Sequence, residues 1–292
     1  MLTDTVFQIH LDQILKEKAP QLARKIPGFL MKFPAKIVHQ NDINEALRFI
    51  GNDTGVDAMQ KLTEYFKLTI RLEGEENLPP EGKYIFVSNH PLGGMDGICL
   101  SAVLGRKYNK KIKYLVNDIL YFLKPLRPIF IPVNKHGAQS KKSAALIREA
   151  GMSDNQLITF PAGLCSRKQH GKIEDLAWKK MFILKAIEYR RDIVPVYFEG
   201  RNSRFFYWLA DTRVKLGIKT NIEMLFLPAE VFKQRGATFT IHFGKPIAWQ
   251  TLDASKTPQE WANEMKKKAY QLGIKTATPS SPSQEEDRKK AS

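Results

Sequence analysis

The run Val87-Ser88-Asn89-His90-Pro91-Leu92-Gly93-Gly94-Met95-Asp96-Gly97 sets an imidazole and a carboxylate on either side of a Gly-Gly pair. A carboxylate that holds one ring nitrogen of a histidine leaves the other free to take a proton from a hydroxyl near neutral pH. On a continuous helix, residues six apart are rotated by about 600° and lie on different faces. His90 and Asp96 would not meet there. Gly93 and Gly94 accept backbone angles closed to other residues, so a tight loop can return Asp96 to His90. The plainer alternative is a loop histidine followed by a helix-capping aspartate.

A second run, Phe160-Pro161-Ala162-Gly163-Leu164-Cys165-Ser166-Arg167-Lys168, also has a glycine turn and ends in two cations. Backbone N–H groups at such a turn, with Gly163 at its centre, can stabilise an oxyanion. Arg167 and Lys168 can hold a phosphate or carboxylate, the arginine through a two-pronged fork. Cys165 has no histidine beside it in sequence to activate it as a nucleophile. Cys99 and Cys165 lack metal-ligand spacing, as do His10, His39, His136, His170 and His242, so no metal is expected. The two thiols read as reduced, which suits a cytoplasmic protein.

Both runs follow strand-like segments. Such segments fall at 66–72, 83–88, 112–116, 128–133, 156–160, 192–198 and 238–243, with helical patterns at 96–105, 139–150, 177–190 and 203–216 between them. Strands alternating with helices predict an α/β fold, a mostly parallel central sheet flanked by helices. Helix 258–272 closes it, with Thr257 as N-cap and Pro258 at the first helical position. Residues 1–64 read as a basic, amphipathic helical segment, 65–275 as the α/β domain, and 276–292 as a disordered tail of Thr, Pro, Ser, Glu and Lys.

Among the 292 residues, 46 Lys and Arg outweigh 30 Asp and Glu, a net charge of +16 that favours a polyanionic partner. Residues 101–150 carry eleven Lys or Arg against Asp118 and Glu149, interleaved with Tyr121, Phe122, Leu123, Leu126, Ile129 and Phe130. That mixture suits an anionic membrane surface, and equally an acidic carrier protein. The aromatic run Arg204-Phe205-Phe206-Tyr207-Trp208-Leu209 favours the membrane interface or a buried helix face. No apolar run is long enough to span a bilayer and no secretory leader is visible, so a cytoplasmic protein peripheral to the inner face of the membrane is expected.

In order along the chain, four blocks resemble the lysophosphatidic acid acyltransferase family of glycerolipid enzymes. Asn89, His90 and Asp96 match its Asn-His…Asp block; Ile129-Phe130-Ile131-Pro132-Val133-Asn134-Lys135 matches an apolar strand ending in a basic residue. Phe160, Pro161 and Gly163 match Phe-Pro-Glu-Gly, and Val194-Pro195-Val196 matches a Val-Pro-Val strand. The late segment Phe243 to Ile247 is family-like as well, so the resemblance covers about 66–250. Five residues, rather than the commonest four, separate His90 from Asp96, as in the hemolysin-like or lyso-ornithine-lipid acyltransferase subgroup. The family's glutamate falls at Ala162, and its arginine is displaced to Arg167 or replaced by Lys168.

The resemblance implies an O-acyltransferase in which His90 is the base and Asp96 its partner. Gly163 and neighbouring amides would face the oxyanion, and Lys135, Arg167 and Lys168 would hold the acceptor's anionic head. It needs no cofactor, only acyl-ACP or acyl-CoA as co-substrate. The departures at Ala162 and Arg167 favour an aminoacyl lysolipid, of lyso-ornithine or lyso-glycine type, as acceptor. Other readings stay open: a 1-acylglycerol-3-phosphate acyltransferase, a lipid-binding relative without catalysis, and a basic nucleic-acid-binding protein. The last has charge alone in its favour, with no zinc-finger cysteines and no RNA-binding aromatic motif, so no nucleic acid is expected.

Overall fold

The seven expected strands assemble into one sheet in a computed structural model that describes residues 7–18, 32–133 and 139–275. They are β1 (Thr69–Glu73), β2 (Tyr84–Ser88), β3 (Ile112–Asn117), β4 (Phe130–Val133), β5 (Gln156–Thr159), β8 (Asp192–Phe198) and β9 (Thr238–Phe243). Two three-residue strands, β6 (Arg167–Gln169) and β7 (Lys172–Glu174), form a separate antiparallel hairpin. The sheet order is β1-β9-β8-β2-β5-β3-β4, and β8–β9 is its one antiparallel pairing. The expected mostly parallel sheet is therefore present, with β9 and β1 running against the other five strands.

Pro195 lies inside the sheet, where a missing N–H should interrupt a ladder. The antiparallel register covers only Val196 to Phe198, and Ile193 pairs separately with Ile247. The break in pairing falls where the proline has no hydrogen to donate.

Helices cover both faces of the sheet. They are α1 (Leu11–Lys18), α2 (Lys32–Ile37), α3 (Gln40–Ile50), α4 (Gly55–Tyr65), α5 (Met95–Lys107), α6 (Gln139–Met152), α7 (Met181–Tyr189), α8 (Arg204–Lys215), α9 (Leu227–Phe232) and α10 (Pro258–Lys275). Strand alternation splits the core in two. Tyr84 and Phe86 of β2 point to one apolar cluster with Leu47, Met59 and Leu100 from α3, α4 and α5. Ile85 and Val87 point to the other, with Phe182, Ile183, Met265 and Ala269 from α7 and α10. Every residue of β2 is buried, as a parallel strand covered on both faces must be.

The N-cap expected for α10 is a reciprocal one. Glu260 N–H donates to Thr257 Oγ1 (3.3 Å), and Thr257 N–H returns a bond to Glu260 Oε2 (2.7 Å). The C-terminal carbonyls of α6 and the turn after it are closed by Arg191, which is buried. It donates to the carbonyls of Ala150, Gly151, Ser153 and Asn155 at 2.6–3.1 Å. Burial lowers its pKa to about 10, opposed by the nearby Asp154 carboxylate.

Three boundaries differ from expectation. β1 starts at Thr69 rather than at 66, because Lys67 takes a left-handed turn (φ 52°). Residues 124–129 form a 3-10 helix, which is compatible with their two prolines, and β4 starts only at Phe130. Residues 177–180 stay outside helix α7, held by the loop contacts described below. Lys135 and the tail at 276–292 lie outside the described residues.

Candidate active site

β2 and β5 are parallel neighbours, so the two motif loops leave the sheet side by side at its carboxyl end. Asn89 fixes the first loop. Its Oδ1 accepts Phe198 N–H (2.7 Å) and its Nδ2 donates to Phe198 carbonyl (3.0 Å), so the amide clips the end of β2 to the end of β8. His90 follows directly.

The chain then turns through Gly93, which is left-handed (φ 81°), into the first turn of α5. A Cβ at Gly94 would come within 2.8 Å of Val231, and one at Gly93 within 3.0 Å of Leu227. Gly93 thus supplies the turn, and both glycines make room for the elements after α8 that close over it.

The turn brings Asp96 to His90, with Nδ1 to Oδ2 at 3.0 Å. Asp96 is fully buried and also accepts Leu92 N–H (3.0 Å) and Gly97 N–H (2.9 Å). Three donors converge on the carboxylate, which sits in the first turn of α5, where the helix dipole favours negative charge. With an ionised acceptor at Nδ1, that nitrogen carries the ring proton. Nε2 bonds to no described residue, and the ring is 16% exposed. The ring stacks on Phe160 at 4.0 Å between centroids and 19° between planes, so a residue of the second motif sets its tilt.

Asp175, which sequence reasoning missed, joins the two loops. Its buried carboxylate accepts His90 N–H (3.1 Å), Ser166 Oγ–H (2.6 Å) and Trp178 Nε1–H (2.9 Å). Ser166 N–H donates in turn to the His90 carbonyl at 2.7 Å. Burial pushes the Asp175 carboxyl above its ordinary pKa, opposed by the donors around it. No local pattern ties Asp175 to the first motif in the sequence, because His90 lies 85 residues away.

Arg167 and Lys168, two of the three residues expected to bind the acceptor, have different surroundings, and the third, Lys135, lies outside the described residues. Arg167 is buried, and its Nη2 donates to Glu223 Oε1 (2.7 Å), a carboxylate that also takes Arg213 Nε (2.7 Å). Its other amino group bonds to the Cys165 carbonyl (2.7 Å), and its guanidinium lies over the Phe206 ring. Arg167 therefore ties the hairpin to the α8 region. Lys168 stands exposed on β6.

Gly163 has φ 71°, and its N–H donates to the Phe160 carbonyl (3.0 Å), closing the turn. The next amide, that of Leu164, bonds to no described residue. Ala162 is buried in the apolar cluster with Ile131 and Trp178. Cys165 is buried too, and its thiol is pushed up to about 11 by desolvation, so it stays protonated near neutrality.

A doubly covered α/β sheet thus carries a His–Asp pair at the carboxyl ends of its strands, beside a Phe-Pro-x-Gly turn whose Phe160 stacks on the histidine. A family model described as acyltransferase matches residues 13–277, and the chain belongs to that family. It is 52% identical over 272 residues to a lyso-glycine lipid O-acyltransferase of Bacteroides thetaiotaomicron, covering 93% of this chain and 100% of that protein. A second protein of that name, from Phocaeicola vulgatus, is 48% identical, with 93% and 98% covered. Among solved structures, the 1-acyl-sn-glycerophosphate acyltransferase PlsC of Thermotoga maritima matches 93% of this chain and 89% of its own, at TM-score 0.49 and 14% identity. The protein is an acyltransferase.

Proposed function

We propose that the chain transfers a fatty acyl group from an acyl thioester, acyl-ACP or acyl-CoA, to the hydroxyl of a lyso-glycine lipid. The observation that carries this is the 3.0 Å contact between His90 Nδ1 and Asp96, which leaves Nε2 as the free nitrogen of the ring. The names of the relatives at 52% and 48% identity support the acceptor class.

In the proposed step, Nε2 takes the hydroxyl proton as the oxygen attacks the thioester carbonyl, and Asp96 stabilises the imidazolium that forms. The tetrahedral oxyanion lies against the turn at Gly163, where the Leu164 amide is an available donor. Collapse breaks the C–S bond, and the leaving thiolate recovers the proton from His90. The thiols of Cys99 and Cys165 take no part, since both are buried.

The acceptor reaches the protein from an anionic membrane face. Leu126, Ile129 and Phe130 of the basic 101–150 segment are buried in the core, whereas Ile119 and Leu120 are exposed. Phe205, Trp208 and Leu225 form a further exposed apolar set around α8. Aromatic and apolar tips beside a cationic surface fit headgroup-level binding. No helix among the described residues is long and apolar enough to cross a membrane.

The test is an acceptor screen with one acyl donor, read by lipid mass spectrometry, alongside His90→Ala. Acylation of lyso-glycine lipid that disappears in the folded variant supports the assignment. Turnover of lysophosphatidic acid alone would replace the acceptor, and retained transfer by His90→Ala would remove the base.

A further inference from the structure

Resting on the lyso-glycine lipid reading above, we infer that Lys179 is the residue that recognises the acceptor's carboxylate. A glycine acylated on its nitrogen keeps a free carboxylate and no positive charge, so its recognition calls for a cation close to the reacting hydroxyl. Arg167 is committed to Glu223 inside the fold, and Lys168 stands on the hairpin.

Lys179 is placed differently. Its Nζ lies 3.0 Å from the position a Cβ on Gly163 would occupy, so the ammonium rests against the turn that follows Phe160, the ring stacked on His90. It pairs with no carboxylate among the described residues, although it stands in a chain where many lysines do.

The backbone that carries Lys179 is fixed to the site at several points. Lys179 N–H donates to the Pro161 carbonyl (3.1 Å), and the preceding residue, Trp178, is fully buried. The Trp178 indole donates to Asp175, the same carboxylate that holds the His90 backbone, and its carbonyl accepts from Gln259 (2.8 Å). One buried carboxylate thus sets both the base and the segment that delivers the lysine. Glycine at 163 and alanine at 162 leave no side-chain acid on that turn to neutralise the ammonium. Lys179 and Gly163 are exposed, and a carboxylate docked there gains a charge-assisted hydrogen bond as the bound lipid covers the turn.

The experiment compares lyso-glycine lipid with its neutral primary amide as acceptors for wild type, Lys179→Gln and Lys179→Arg, with thermal melting as a check on folding. Lys179→Gln should raise KM for the carboxylate acceptor about ten- to a hundredfold with little change in kcat. With the amide it should differ from wild type by less than about threefold, and Lys179→Arg should restore most of the carboxylate preference. Equal losses on both acceptors, or no loss on either, would overturn the role of Lys179 while leaving the acceptor assignment intact. Failure of the wild type to acylate either glycine acceptor would overturn both.

Discussion

Replacing Asp96 by asparagine tests the base with little change of shape. The side chain is fully buried and accepts from His90 Nδ1, Leu92 N–H and Gly97 N–H at 3.0, 3.0 and 2.9 Å. Asparagine keeps one oxygen, which at the Oδ1 position still accepts Gly97 N–H, but puts an amino group at the Oδ2 position, facing both the ring and the Leu92 N–H. His90 must then accept at Nδ1 and carry its proton on Nε2, the nitrogen that has to be empty to take a proton from the acceptor. The charge-assisted bond alone is worth about 1.5–3 kcal/mol, or roughly 10- to 150-fold in rate. The wrong tautomer adds to this, and about 10⁴-fold in kcat is the known scale for asparagine behind a catalytic histidine. We expect kcat for acyl transfer to lyso-glycine lipid to fall about 10³- to 10⁴-fold, and stability to fall by no more than about 2 kcal/mol. A folded Asp96→Asn enzyme within tenfold of wild-type kcat would refute the His–Asp mechanism.

Three further outcomes follow from the same geometry. Glu223→Gln removes the charge shared by Arg167 and Arg213 in a buried setting, and denaturant unfolding should show a loss of about 3–5 kcal/mol; an unchanged midpoint would mean that the two arginines find other partners. Ala162→Glu puts a carboxylate into the cluster around Trp178 and Ile131, and should destabilise the protein by several kcal/mol rather than improve binding of phosphate-bearing acceptors; a stable variant with gained lysophosphatidic acid activity would contradict this. Cys165, with its thiol pushed up to about 11, should react slowly with iodoacetamide at pH 7.5, faster only as pH rises towards that value, and Cys165→Ala should retain most of its turnover; rapid inactivation at neutral pH would point to a thiolate.

Much of the fold was legible because its cues are local. The seven apolar runs each became a strand of one sheet, and Thr257-Pro258 marked the start of α10. The His–Asp contact was legible too, because glycines between the two residues permit one kind of return. What escaped depends on partners far away in sequence. Nothing near Arg167 announces that Glu223, 56 residues on, will take its charge, and nothing near Asp175 announces His90. The reversal of β9 against β8 is equally silent in the runs themselves. The β6–β7 hairpin left one local sign, Gly171, which with His170 takes the positive φ that a tight two-residue turn requires.

The clip that Asn89 makes with Phe198 gives His90 the rigidity of the sheet, while Lys179 stands on the loop after β7, held through Pro161 and Asp175. On the proposed reading, proton transfer is anchored in the sheet and headgroup choice on a loop, and Asp175 couples the two. On that reading a change of acceptor can be made by exchanging the side chain at 179, while the Asp175 anchor keeps His90 where it is.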